Sequence, residues 1–365
     1  MSFIDHFSII EDPRKDINVK YDFIDILFLT VSAVISGAEG WQDIEDFGHD
    51  KLDWLRLHRP FQQGIPVDDT IARIIRAISP KQFNQALINW VNEVRRDNGK
   101  EQIAIDGKTL RHSFDGERNS ALHSITAWSK SNGLVLAQAR SEGKKNENSS
   151  VLEMLDTLNI SGAIVSADAM NTQKQIVAKI LNNGGDYVLC VKNNHKKLKE
   201  EIAAYFHKVT RDSPEHIQGH EEIDSGHGRI ESRHYRQLRM SEWIEEGDKW
   251  QGIQTIIEVT RKRITKDKEQ AETLYYISSL SPNVVQISDA IRGHWEVENK
   301  VHWVLDVTFK EDDCRIRKED GAENVGIIRR FGLNLSRLHP SKISMRRKLK
   351  RAARIDEFRT EIIFG

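Results

Sequence analysis

The chain has 365 residues, enough for two or three domains, and its 54 Lys and Arg are balanced by 55 Asp and Glu. Apolar residues make up 38% and charged residues 30%, an ordinary globular composition that argues against a disordered chain. The longest apolar stretch, Phe23 to Ile35, is broken by Asp25 and is too short to span a bilayer, so no membrane role is expected. Only Cys190 and Cys314 are present, which gives neither a disulfide framework nor a paired-cysteine metal site. With no signal-peptide pattern at the start, a cytoplasmic protein is expected. The charge is asymmetric along the chain. Asp43, Glu45, Asp46, Asp68 and Asp69 crowd the first part, whereas Lys342, Arg346, Arg347, Lys348, Lys350, Arg351 and Arg354 fall together near the end.

Residues 1 to 97 read as all-helical. Phe23, Ile26, Leu27, Val34 and Ile35 form an apolar helix closed by Gly37, and Trp41, Ile44 and Phe47 a short amphipathic one followed by Trp54-Leu55. Asp69-Thr70 offers a cap for a helix carrying Ile71, Ile74, Ile75 and Ile78. Ser79-Pro80 opens another, with Phe83, Leu87, Trp90, Val91 and Val94 on one face. A packing domain accounts for this pattern; Arg73 and Arg76 also permit DNA contact.

Asn98-Gly99-Lys100 is a polar turn that separates this part from residues 98 to 365. Strands then follow at Gln102–Ile105, ending on Asp106, and at His123–Trp128 and Leu134–Ala139, which the turn Ser131-Asn132-Gly133 links into a meander. Glu142 to Ser149 reads as a polar loop before a helix with Val151, Met154, Leu155 and Leu158. Ala163-Ile164-Val165 is a buried strand that ends at Asp168. Asn171 and Thr172 offer caps to a helix with Ile176, Val177 and Ile180; Gly184-Gly185 stops it, and Tyr187–Val191 is the next strand. Three strands, helix, strand, helix, strand is the succession of ribonuclease H-like α/β folds, in which the first and fourth strands lie side by side. Asp106 and Asp168 would then meet at the sheet edge where ligands gather in α/β sheets. A lone Asp there also serves as a helix cap or turn former.

About residues 198 to 272 read as a β-rich insertion: a helix Leu198–Phe206, then Ser225-Gly226-His227-Gly228-Arg229, then strands at Ile253–Val259 and Thr273–Ser278. One long helix is expected from Val285 through Phe309, capped by Asn283 or Ser288. Glu311-Asp312-Asp313 then reads as a solvated loop. A final helix carries Val325, Ile328, Phe331, Leu333 and Leu335, and a basic tail covers about residues 341–355. Asp106, Asp168 and one acid of the segment Ile291–Leu305 would repel one another unless cations joined them. Oxygen ligands suit Mg²⁺ or Mn²⁺, and two such ions can activate a water or 3′-hydroxyl and stabilise a leaving oxygen.

The segments IAIDGKTLRHS, IVSADAMNTQKQIVAKILNNGGDYVLCVKNNH, GHGRIESR and IRGHWEVENKVHWVLDVTFKEDDCRIR resemble the DDE transposases of bacterial insertion sequences, in their H-repeat-associated subgroup. The N-terminal DPR and IPVDDTIARIIRAISPKQF resemble the accessory domain in front of that catalytic domain. The resemblance implies an α/β (α+β) ribonuclease H-like catalytic core with a helical N-terminal domain. It implies metal-dependent cleavage and strand transfer at terminal inverted repeats, with two Mg²⁺ or Mn²⁺ ions. The partners implied are double-stranded DNA, both ends and target, and a second copy when the ends are synapsed, in a bacterial cytoplasm on the nucleoid. Carried over by motif, Asp106, Asp168 and Glu298 are the catalytic and metal-binding acids. Glu296 competes with Glu298 because Arg292 stands four residues before it, and Asp306 competes more weakly. His294, Ile291 and Leu305 stand where the wider superfamily has Arg, Tyr and Lys, which weakens the transfer of phosphate-contact roles.

Lys108 and Arg111 follow the first acid and are candidates to hold the scissile phosphate; Arg229, Arg233, Arg292, Arg346 and Arg347 are further DNA contacts, with Glu231 a possible ion-pair partner for the insertion arginines. His294 and His302 share a helical face with Glu298 and are placed beside phosphate or carboxylate; the same row could bind zinc, but no distal ligand motif accompanies it. Trp295 and Trp303 are expected in the core, with stacking on a flipped base as the alternative. The other functional classes consistent with these residues are a transposase-derived DNA-binding protein that no longer transposes and a metal-dependent nuclease without strand transfer.

Overall fold

Branched apolar residues in short runs become the buried strands of a large sheet. The computed structural model describes residues 3–15, 19–96, 100–110, 113, 121–141, 147–226, 229–265 and 269–365, with only the backbone at 3 and 229. Its strands are β1 (Gln102–Thr109), β2 (His123–Ser129), β3 (Leu134–Ser141), β4 (Ile164–Ala167), β5 (Asp186–Val191), β6 (Gln218–Gly226), β7 (Arg229–Arg239), β8 (Thr255–Thr265) and β9 (Glu269–Ser278). The chain forms two compact units, each discontinuous in sequence. One comprises residues 1–96, 107–150 and 297–365, the other 97–106 and 151–296. Strand β1 contributes its first five residues to the second unit and its last three to the first.

In the second unit the strand order is β1-β4-β5-β9-β8-β7-β6. β1 and β4 are parallel, from Gln102↔Ile164 to Ile105↔Ala167, and β5 continues parallel to β4. The long antiparallel strands of the insertion then extend the sheet, with β9 against β5 through Val188↔Ser278 to Val191↔Tyr275. The helix Val284–His294 packs Ile287, Ala290 and Ile291 on Ile164, Val188, Tyr235, Ile257 and Tyr276. Its N-cap is Asn283, whose side chain accepts from the Gln286 N–H, satisfying one of the donors that every helix start leaves open.

In the first unit β3 and β2 pair antiparallel and lie next to the end of β1, where the Leu110 N–H donates to the Leu122 carbonyl at 2.9 Å. The helices Phe23–Ile35, Asp68–Ala77 and Pro80–Val94 surround Gly321–Leu338, which is buried along nearly its whole length. No helix among the described residues is long and apolar enough to cross a membrane. The order β3-β2-β1, with β2 antiparallel to β3, and the order β1-β4-β5, with both steps parallel, make the core ribonuclease H-like, as expected from the succession of elements.

Several expectations are corrected. The expected long helix is interrupted at Trp295 and resumes at Glu296; Glu298–His302 is π-helical and leads into a short α-helix, Trp303–Val307. Buried Val297, Val301, Leu305 and Phe309 recur every four residues, a spacing that drifts by roughly 40° per step around an α-helix of 3.6 residues per turn. The wider i→i+5 winding keeps them on one side. The same winding turns Trp303 outward, 57% exposed, and Trp295 is 46% exposed, so neither is a core residue. The basic stretch is no loose tail: it forms the helix Met345–Arg354, anchored by buried Lys348, which donates to the Ser336 and His339 carbonyls at 2.7 and 2.8 Å. The helix over Ile176 starts at Lys174 with Gln173 as its cap, and that over Ile71 starts at Asp68 after Val67, so Asn171, Thr172, Asp69 and Thr70 do not cap them. The helix before β4 begins at Glu147, inside the expected loop.

Candidate active site

The register of β1 and β4 positions the first two acids. Ile105 and Ala167 are the last parallel partners; Asp106 follows one directly, and Asp168 is the first residue beyond the other. Both lie in the second unit and both are half-buried. Beyond β4 the chain makes a short 3₁₀ turn, Ala169–Asn171, which Asp168 caps. Its Oδ1 accepts from the Asn171 main-chain N–H at 3.2 Å and side-chain N–H at 3.0 Å. The turn is held down from outside by Thr172 Oγ1, which donates to the Cys190 carbonyl at 2.6 Å, and by Asn194, which donates to the Ala169 carbonyl at 2.6 Å. Asp168 is thus a turn former and an acid at the edge of a parallel sheet at once. His294 lies in the same unit, 3.3 Å from the Ser166 hydroxyl on β4.

The first unit holds an open cavity of about 320 Å³, lined by Gly107, Lys108, Thr109, His123, Glu298, His302, Asp306 and Asp312. Gly107 is bonded directly to Asp106. A Cβ at Gly107 would stand 2.6 Å from His123 Nε2 and 2.9 Å from Glu147 Oε1, so only glycine lets the chain pass here. Buried His123 is fixed between Thr109 Oγ1 and Glu147 Oε2, each at 3.0 Å. On the helical wall the Glu298 carboxylate is 65% exposed, with Oε2 3.2 Å from Nδ1 of buried His302. The hydrogen bond with His302, against some burial and with help from the Lys108 charge, holds the Glu298 carboxyl below its ordinary range. An ionised, accessible carboxylate is what a metal or a cationic group requires.

Lys108 lines this cavity, but its charge is engaged by acids. Its ammonium pairs with Asp306 and lies 3.3 Å from Glu311 Oε2 and 3.5 Å from Asp312 Oδ1. Glu311, expected in a solvated loop, is fully buried and paired with equally buried Arg330 at 2.6 Å. Burial alone would raise the Glu311 carboxyl; Arg330, Lys108 and Arg329 outweigh it and bring it down to about 2. Burial raises the Asp306 carboxyl, and Lys108 only partly offsets this. Sequence reasoning missed this charged cluster and the Thr109–His123–Glu147 chain. The one visible signal was Arg329-Arg330 in the otherwise apolar run Ile327 to Phe331. Two arginines at the buried face of a helix require acids from elsewhere.

The remaining expected contacts are dispersed. Arg233 is mostly buried and pairs with Glu231 at 2.5 Å; Arg261 adds a second contact to the same carboxylate at 3.4 Å. Arg292 is half-buried, 3.4 Å from Asp224. Glu296 is half-buried, and Arg346 and Arg347 are exposed on the C-terminal basic helix. Arg111, the residues 227–228 and the polar turn 97–99 lie outside the described residues, as does the Arg229 side chain.

The family model described as "Transposase DDE domain" matches residues 97–335, and the one described as "DDE_Tnp_1-associated" matches 4–91. The chain is 40% identical to the Escherichia coli K12 protein named "H repeat-associated putative transposase YhhI" over 369 residues, covering 99% of this chain and 97% of that one. It is 54% identical over 72 residues to the "Inactive transposase YbfQ" of the same organism, covering 20% of this chain and 86% of the relative. The solved synaptic complex of piggyBac transposase with hairpin DNA aligns at 11% identity and a TM-score of 0.40, over 100% of this chain and 78% of that one, too distant to bear on mechanism. On the family models and the near full-length relative, this chain belongs to the DDE transposase family.

Proposed function

We propose that the chain is an insertion-sequence transposase that cleaves DNA at its element's terminal inverted repeats and transfers the freed ends to target DNA. The observation that carries this reading is the placement of Asp106 and Asp168 directly after Ile105 and Ala167, the last parallel partners of β1 and β4, within a chain of the DDE family. Asp106, Asp168 and Glu298 would be the metal ligands. The donor set fits hard divalent cations: it offers carboxylate oxygens only, two at one sheet edge and one ionised beside an open cavity. Two Mg²⁺ or Mn²⁺ ions, when bound, would activate the attacking oxygen and stabilise the leaving one.

The protein's own residues orient these groups. The turn capped by Asp168 fixes one carboxylate, and the glycine after Asp106 brings the chain against His123 and Glu147. His302 orients Glu298 and keeps it ionised. No side chain is needed as a covalent nucleophile; water attacks first and the 3′-hydroxyl second. Residues 1–97 would act as the accessory domain of a catalytic region spanning 98–365, and a second copy would join when two ends are brought together. The exposed Arg346, Arg347, Lys350, Arg351 and Arg354 supply phosphate contacts from one helix. Lys108 and Arg233 are committed to carboxylates and are left out of the DNA contacts.

The test is a joining assay with the element's ends and a supercoiled target, in Mg²⁺ and in Mn²⁺. End-to-target joints formed by the wild type and absent with Asp168→Asn support the reading. Cleavage without joints would make the protein a nuclease, and bound but uncut DNA would make it a binding protein.

A further inference from the structure

The strand that carries Asp106 and the helical segment that leads on from Glu298 each contribute a charge to one largely buried cluster. Lys108 stands two residues after Asp106 and Asp306 eight after Glu298, and the two pair directly. Glu311 and Asp312 complete the ring of carboxylates around the ammonium, at 3.3 and 3.5 Å. Glu311 is clamped by Arg330, whose Nε–H donates to Thr126 Oγ1 on β2 at 3.2 Å and whose Nη1 donates to the Gly326 carbonyl at 3.2 Å. The Glu311 N–H also closes the short helix by donating to the Leu305 carbonyl at 3.0 Å. Arg337 donates to the Lys300 carbonyl inside the π-helical turn. A π turn is rare and occurs mostly as a single turn inside an α-helix, and here it is contacted from outside.

We propose that Lys108, Glu311 and Arg330 are positioning residues that lock the segment Glu298–Val307 against the end of β1 and so set the Glu298 carboxylate for metal binding. The inference rests on the reading of Glu298 as a metal ligand. It gives Lys108 a different task from the phosphate contact suggested by its place in the sequence. The Lys108 side chain is only 11% exposed, and its ammonium, ringed by three carboxylates, sits in a field that repels phosphate. Its charge is spent on holding Asp306 and Glu311 together.

The experiment compares full-length wild type, Lys108→Met, Lys108→Arg, Glu311→Gln and Glu298→Gln. Mn²⁺ affinity is read from the free-ion electron paramagnetic resonance signal, amide exchange over residues 298–307 by mass spectrometry, and DNA affinity against salt. Lys108→Met and Glu311→Gln should weaken Mn²⁺ binding by roughly 10- to 100-fold, the usual effect of removing a group that orients a metal ligand. They should also speed exchange over 298–307 and leave the salt slope of DNA binding unchanged, and Lys108→Arg should restore most of the Mn²⁺ affinity. If Glu311→Gln does not fold, Lys108→Met at the edge of the cluster carries the test. A loss of DNA affinity with a shallower salt slope and unchanged Mn²⁺ affinity would make Lys108 a phosphate contact and overturn the proposal; so would unchanged exchange. If Glu298→Gln binds Mn²⁺ like wild type, the ligand assignment fails instead, and exchange over 298–307 alone decides whether Lys108 holds the segment.

Discussion

The sheet edge bearing Asp106 and Asp168 and the segment from Glu298 to Arg330 reach order by opposite routes. At the edge, main-chain register does the work: the parallel pairing of β1 with β4 stops at Ile105↔Ala167, and each of these residues is followed by an acid. The helical segment is ordered by side-chain charges far apart in sequence, with Arg330 seeking Glu311 and Lys108 seeking Asp306. Glu298 and Glu311 mark the contrast within one short stretch. The first is 65% exposed and ionised beside a histidine; the second is fully buried and ionised only because cations surround it. Exposure suits a carboxylate that is to receive a ligand, whereas burial with fixed partners suits one that holds structure.

The largest expected stability effect lies in the second region. Glu311→Gln leaves Arg330 buried without its counter-charge, and removing one partner of a buried ion pair costs about 3–5 kcal/mol. Urea unfolding of the variant checks this; a loss below about 1 kcal/mol, the range of an exposed pair, would mean water reaches the Arg330 site. Gly107→Ala should follow, at about 1–3 kcal/mol, because its Cβ must displace the His123–Glu147 pair. A thermal melt no lower than wild type would show that pair to be movable.

The contrast also has a pH signature. Glu311 has a folded-state value of about 2 against 4.5 for the free side chain, so the folded state favours its ionised form. Its stabilising contribution is fully present above about 4.5 and fades as pH falls through the window down to about 2. Unfolding free energies between pH 5 and 3 should therefore drop more steeply in wild type than in Glu311→Gln. Equal slopes would remove Glu311 from the acid sensitivity of the fold. The smallest effect is expected outside both regions. Arg346→Ala with Arg347→Ala should lower DNA affinity for all sequences alike and reduce the salt slope by about one for each phosphate no longer neutralised. An unchanged slope would move the DNA interface away from that helix.

These differences explain what is legible before the fold is seen. Runs such as Ile103-Ala104-Ile105 and Ala163-Ile164-Val165 announce their strands by local composition, so the ribonuclease H-like order and the pairing of β1 with β4 can be read directly, although β1 runs on past Asp106 to Thr109. The π turn cannot, because helical periodicity from Val285 to Phe309 looks continuous until buried side chains at fourfold spacing are seen to need one face. Glu311-Asp312-Asp313 looks like a solvent loop by composition alone. Only Arg330, nineteen residues later on a helix packed against β3, makes it a core element. Lys108 draws attention by its place after Asp106, yet its partners come from residues 306 to 312. Local pattern is thus sufficient for register but blind to paired burial.

The most direct measurement is metal-dependent cleavage of DNA bearing the element's ends by wild type, Asp106→Asn, Asp168→Asn, Glu298→Gln and Glu296→Gln. Cleavage should fall by more than the roughly 100-fold expected from losing a mere orienting group in the first three variants, and stay near wild type in Glu296→Gln. Robust cleavage by Asp106→Asn or Asp168→Asn would contradict the two-carboxylate sheet edge as the catalytic centre. Retained activity in Glu298→Gln with loss in Glu296→Gln would shift the third acid by two residues.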